Sequence, residues 1–208
     1  MSNLTDFFPS GGGGGLTPKF QEFLSSGTFT PSQALIDAGG YIEVFLVGGG
    51  SGGFQDSTTY GGQGGEVQTI KMYLTNTNAI SVTIAAGGVK ATWNTLVSSQ
   101  GGESVFNGSS AGGITFSSVG GRIVDGSSTN FSNTMLSPGY GGVAYNSTYS
   151  GSPGPGVNGY GMGGGIVKGI GAYTSSQKPN SGQGGVTGNT TSRSTEGASG
   201  YCLIKWYE

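Results

Sequence analysis

Tyr41–Gly53 reads YIEVFLVGGGSGG. Its first seven residues form a short apolar block, bounded in front by Gly39 and Gly40, of the length of one β-strand. The six that follow have almost no side chain to bury. Glycine gives up more conformational freedom on folding than any other residue. Such a run must therefore either stay disordered or be held by dense main-chain hydrogen bonding. The motif recurs in GGQGG at Gly61–Gly65, GYGG at Gly139–Gly142, the stretch Gly151–Gly165 and GQGG at Gly182–Gly185, and glycine supplies 46 of the 208 residues. Backbone must pack on backbone.

Outward from this stretch the chain reads as β from Phe29 onward. Ile70, Met72 and Leu74 alternate with polar residues, Asn76-Thr77-Asn78 makes a turn, and Ile80, Val82 and Ile84 alternate again, which predicts a hairpin with one face on the core. Shorter strands are expected at Ser104–Phe106, Ile114–Phe116 and Arg122–Val124. The last strand, Tyr201–Tyr207, places Cys202, Ile204 and Trp206 on one face and Tyr201, Leu203, Lys205 and Tyr207 on the other. Cys202 is then an inert core residue. Residues 17–26 are expected to form one short helix, with Thr17 as its cap, Pro18 in its first position and Gly27 just past its end. Phe20, Phe23 and Leu24 would share a face of it.

From about Pro138 to Gly185 the strand pattern fades and glycine dominates. A loop that long needs an order of its own. Polyproline-II-like glycine helices would supply it, because their outward N–H and C=O groups can bond to neighbouring helices.

Composition narrows the function. The net charge is −2, only 9% of residues are charged and no Lys/Arg cluster occurs, so a nucleic acid or an anionic membrane is not an expected partner. Although Leu, Ile, Val and Phe together number only 42, the low charge and the 22 aromatic residues favour a folded chain. One cysteine and no histidine leave no disulfide framework, no cysteine-rich metal site and no Ser-His-Asp triad. The ten acidic residues are scattered along the chain; Asp56, Glu66, Glu103 and Asp125 are the ones that could converge in space as a carboxylate pair across a bond, but no catalytic, metal or cofactor site is expected. Gly48-x-Gly50-x-x-Gly53 follows a strand as a dinucleotide fingerprint does, but FQDSTTYGGQGG after it cannot open a helix. Met1–Pro9 has neither the basic nor the apolar region of a secretory signal, and no apolar run has the length of a membrane span.

Six blocks in order carry a resemblance: TFTPS at Thr28–Ser32, YIEVFLVGGGSGG at Tyr41–Gly53, GGQGGE at Gly61–Glu66, SVTIAAGG at Ser81–Gly88, QGGESVFNG at Gln100–Gly108 and GASGYCLIKWYE at Gly197–Glu208. Over residues 28–208 the chain resembles the glycine-rich domain of bacteriophage tail-fibre and receptor-binding proteins. It is also similar to the glycine-rich ectodomain of anaplastic lymphoma kinase. It departs from the fibre-tip adhesins in lacking their repeated long glycine motifs and in the glycine-poor stretch Thr115–Ser137.

The resemblance implies an all-β fold, a jelly-roll-like β-sandwich interleaved with a glycine-rich polyproline-II-type helix bundle, to which residues 1–27 add the short helix, a Gly linker and a docking peptide. It implies a virion protein assembled in the bacterial cytoplasm, either a tail-fibre or receptor-binding adhesin or a non-adhesive part such as a capsid decoration, head fibre or tail connector. The candidate receptor-binding residues are Tyr140, Tyr145, Tyr149, Tyr160 and Tyr173, which crowd the glycine-rich second half. Asp6, Phe7, Phe8 and Pro9, followed by the flexible Gly11–Gly15, are the candidate contact with another virion component. The expected partners are other virion proteins, a bacterial surface receptor and, in a homotrimer, two further copies of the chain.

Overall fold

The computed structural model describes residues 15–55, 59–60, 62–90, 99–121, 160–161, 166–167, 179–185, 187–188 and 195–208. In chain order the elements are β1 (Pro18–Phe23), β2 (Gly27–Phe29), α1 (Gln33–Asp37), β3 (Tyr41–Val47), β4 (Phe54–Gln55), β5 (Thr59–Tyr60), β6 (Val67–Tyr73), β7 (Ile80–Thr83), β8 (Ser104–Asn107), a 3-10 turn at Gly108–Ala111, β9 (Thr115–Ser118), β10 (Ile166–Val167), β11 (Thr187–Gly188) and β12 (Tyr201–Tyr207). Two antiparallel four-stranded sheets, ordered β1-β12-β3-β6 and β2-β7-β8-β9, make the fold all-β. β4–β5 and β10–β11 add two small ribbons.

The two sheets share one apolar core. Ile42, Val44 and Leu46 from β3, Met72 from β6 and Cys202 and Ile204 from β12 meet Phe29, Ile80, Val82 and Phe106 from the second sheet. The strands expected at Tyr41–Val47 and Tyr201–Tyr207 occupy those residues, and those expected near Ser104 and Ile114 are β8 and β9. Arg122–Val124 lies outside the described residues.

Two expectations are corrected. Residues 18–23 are a strand, because β12 offers them a free edge: Pro18 pairs with Tyr207 and each following residue in turn down to Phe23 with Cys202. An isolated ten-residue helix is marginal in water, whereas this pairing satisfies the main chain of both strands. The predicted shared face is split, with Phe23 in the core and Phe20 and Leu24 exposed. The short helix lies later, at α1, where the Ser32 hydroxyl accepts a hydrogen bond from the Leu35 amide at 3.0 Å. Gly39 and Gly40, at φ 101° and 70°, turn the chain out of it.

The second correction concerns the hairpin. β6 and β7 alternate as read, with Met72, Leu74, Ile80 and Val82 buried, but they do not pair. β6 pairs with β3, and β7 with β2 and β8. The Asn76–Asn78 turn carries the chain from one sheet to the other.

At one end of the sandwich the strands run on into glycine segments. β3 continues into 48–53, β7 into 85–89 and β9 into 119–121, while 62–66 leads into β6, 99–102 towards β8 and 195–200 into β12. With 182–185 they form a bundle in which 48–53 is surrounded by the other six. The amides of Gly48 and Ser51 bond to Glu66 and Gln63, those of Gly49 and Gly52 to Gly102 and Ser99, and those of Gly50 and Gly53 to Ala198 and Thr195. Each neighbour is thus met at every third residue, and its own partner moves back by three, so these three neighbours run antiparallel to the centre. The carbonyls of Gly49, Gly50 and Ser51 accept from Gly121, Gly88 and Gly185 in the other three.

Around the rim the six outer segments bond in a closed ring, as in Gly62 to Gly185, Glu66 to Val119, Gly101 to Gly121, Gly102 to Ala86, Gly197 to Gly88 and Ala198 to Gln183. A Cβ at Gly49, Gly50 or Gly52 would fall on the carbonyl oxygen of Ala86, Gln183 or Val89 respectively. Closeness, rather than dihedral freedom, demands glycine here.

Buried hydroxyls join the bundle to the sandwich. Ser104 donates to the Val47 carbonyl at 2.7 Å and accepts from the Ala85 amide at 3.0 Å, and Ser118 donates to the Leu46 carbonyl at 2.9 Å. Ser51, in the central segment, accepts from the Gln63 amide at 2.7 Å. The four buried polar residues among those described are all serines, small enough to sit beside glycine and hydrogen-bonded where they are tied in.

Candidate interaction face

Side chains alternate along a strand, so the sheet that lines the core with Cys202, Ile204 and Trp206 must present the other set outward. On β12 that set is Tyr201, Leu203, Lys205 and Tyr207. The register places Leu203 between Glu22 and Phe45, and Lys205 between Phe20 and Glu43. Tyr160, held from a distant part of the chain, packs here. Its ring stacks on Tyr201 with centroids 5.0 Å apart and meets Phe45 edge-on at 5.1 Å. Tyr41 and Tyr73 form a second edge-on pair at 5.4 Å.

The Tyr201 hydroxyl donates to the Glu22 carboxylate at 2.6 Å. Burial above all, then that bond and the neighbouring Tyr160, push the phenol well above the ordinary tyrosine range. Beside it runs an open groove of about 400 Å³ along β1 and β12, lined among others by Pro18, Phe20, Glu22, Leu203, Lys205 and Tyr207. Phe20 is 74% exposed in this face.

The far end of β12 is pinned. Thr17 and Glu208 exchange both main-chain bonds, and the Ser32 hydroxyl donates to the Glu208 carboxylate, which also faces Lys19 at 3.9 Å. The Ser32 bond leads in holding that carboxyl below its ordinary value. The buried Trp206 Nε1 has no aligned hydrogen bond among the described residues, yet lies close enough to help lower it.

Of the residues singled out in the sequence, Tyr160 lies in this face. Tyr140, Tyr145, Tyr149, Tyr173, Asp6, Phe7, Phe8 and Pro9 lie outside the described residues, as do Asp56 and Asp125. The Glu66 carboxylate accepts the Val119 amide at 3.0 Å, a structural bond within the bundle. The sequence reading passed over Phe45 and Tyr73, and placed Phe20 on the face of an expected helix rather than of this sheet. The outward set on β12 was readable, but only the pairing shows which residues of other strands adjoin it. Cys202 is fully buried, and its burial pushes the thiol up to about 12. Among the described residues no group of three His, Cys, Asp or Glu is placed to hold a metal, and no helix is long and apolar enough to cross a membrane.

A family model described as a glycine-rich domain matches residues 24–207. The chain belongs to the glycine-rich domain family. The match takes in both sheets except β1, and all seven segments of the bundle. No curated protein matches the chain. In this glycine-rich domain, Gly48-x-Gly50-x-x-Gly53 is the buried centre of a bundle rather than a turn opening a helix, so its amides are spent on main-chain carbonyls and none faces a phosphate.

Proposed function

We propose that this glycine-rich domain is a bacteriophage virion protein that acts as a tail-fibre or receptor-binding adhesin, with the outer face of the β1-β12-β3-β6 sheet as its contact surface. The observation that carries the reading is the aromatic face itself, where Tyr160, Tyr201 and Phe45 pack together beside an open groove. Aromatic residues give broad amphipathic contact at small entropic cost, and an exposed apolar surface with a polar rim is the mark of an interaction site. The ordered resemblance over residues 28–208 supports the phage assignment.

We also propose that the seven glycine segments are polyproline-II-type helices. A bonding repeat of three residues is what that helix requires. A bundle of them is a stiff mount, and stiffness under a contact face reduces what is lost on binding.

The test is competition. Purified protein should bind host cells and slow phage adsorption, and replacing Lys205 by Glu and Tyr207 by Ala, both at the groove, should weaken both effects. Protein that neither binds cells nor competes with phage sinks the adhesin reading. The non-adhesive alternative, a capsid decoration, head fibre or tail connector, rests on the same fold and the same N-terminal tether, Asp6–Pro9 followed by Gly11–Gly15, which would serve it equally. Antibody labelling of the capsid or neck without inhibition of adsorption would select it.

A further inference from the structure

We propose that β1 is a self-association edge, through which two copies pair antiparallel about Phe20 into one continuous sheet. β1 ends its sheet, and nothing among the described residues pairs with its outer side. Thr17 exchanges both bonds with Glu208, just past the end of β12. Antiparallel bonding alternates, so the odd-numbered residues of β1 bond inward while Pro18, Phe20 and Glu22 turn their main-chain groups to the open edge. Proline at such a position is tolerated because its missing N–H faces outward. Its carbonyl still accepts.

The side chains decide what covers this edge. Leu16, Phe20 and Leu24 are each more than half exposed, and Leu16 and Leu24 stand four residues either side of Phe20. A strand with that spacing is its own complement when reversed. Antiparallel pairing on Phe20 sets Phe20 against Phe20 and brings Leu16 towards Leu24. Pro18 then faces Glu22, whose N–H bonds the Pro18 carbonyl, and Lys19 faces Gln21, so no like charges meet. The neighbouring registers are worse. A shift of two one way puts Lys19 against Lys19, and a shift of two the other way puts Phe20 against Glu22. The net charge of −2 opposes association only weakly. Because the axis passes through Phe20, the two grooves lie side by side and the second copy extends each contact face. This twofold pair stands in place of the threefold assembly that the resemblance implies, and it is independent of the adhesin reading.

The full-length chain tests this directly. In sedimentation it should run as a dimer at micromolar concentration, and Phe20→Glu should weaken the association on the order of a hundredfold through lost apolar burial. Phe20→Cys should link two chains by a disulfide on mild oxidation. Directly opposed residues of a hydrogen-bonded pair have Cα atoms about 5.5 Å apart, within disulfide reach. The natural Cys202 is buried and does not interfere. Thr69→Cys, on the opposite edge strand, is the control. A monomer, a trimer, a dimer indifferent to Phe20→Glu, or cross-linking at Phe20→Cys no better than at Thr69→Cys overturns the proposal. The last two outcomes would give the exposed stripe to another occupant.

Discussion

A Cβ added at Gly50 would fall on the Gln183 carbonyl oxygen, whereas one added at Gly15 meets nothing within 4 Å. Gly50→Ala is therefore expected to destabilise the fold by about 3 kcal/mol or more, since overpacking here has only backbone to push against. Gly15→Ala should stay within about 0.5 kcal/mol. Urea melts of the two variants compare them. Cys202 gives a second test. Its thiol, raised to about 12 by burial, stays neutral and inaccessible near pH 8. Ellman's reagent should leave the native protein unlabelled and react once it is unfolded. The burial of Cys202 was legible in the alternation of Tyr201–Tyr207. That Gly50 sits in the middle of the bundle was not, because glycine runs look alike in sequence and differ only in which carbonyls surround them.

Among the elements, β1 shows how a local signal loses to a distant one. Thr17, Pro18 and Gly27 are placed as helix boundaries, but the edge of β12 lies 180 or so positions away and offers main-chain partners that a short helix lacks. The strand makes a distinct forecast: Phe23→Ala should cost about 3–5 kcal/mol, whereas Leu24→Ala should change little, as denaturant midpoints would reveal. A helix would bury both alike. The β6–β7 error has a similar origin. Alternation fixes which face of a strand is buried, and it says nothing about which sheet the strand joins.

Between β1 and β12, the Glu22–Tyr201 bond ties stability to alkaline pH. The folded phenol titrates above its ordinary value of 10.0. The stability linked to its neutral form is thus complete below about pH 10 and is lost as the pH rises through the folded value. Glu22→Ala removes one cause of that rise, and a spectrophotometric titration should show Tyr201 ionising at lower pH than in the parent protein.

For the molecule as a whole, the β character was readable from the alternating strand blocks and the need for main-chain order from the glycine content, while the seven-segment arrangement was not. The long glycine-rich stretch drew attention to 138–185, but the described bundle is built mostly from short runs at strand ends, of which only 182–185 falls within that stretch. Each run is too short to declare an order by itself, and only their convergence at one end of the sandwich gives it. If the bundle folds with the sandwich as one unit, the amides of Gly49, Gly50 and Gly52 should exchange only through global unfolding. Exchange at a free energy well below that of global unfolding would separate the two halves.

The three-residue return of each neighbour around 48–53 also limits how such a chain can change length. Removing one glycine would put every later amide one residue out of step with the three-residue bonding repeat, aiming each at a carbonyl already engaged. Removing three would shorten the rod by one full repeat and leave its direction intact. Insertions and deletions within these runs should therefore be tolerated in triplets of residues, a reading frame written in hydrogen bonds rather than in codons.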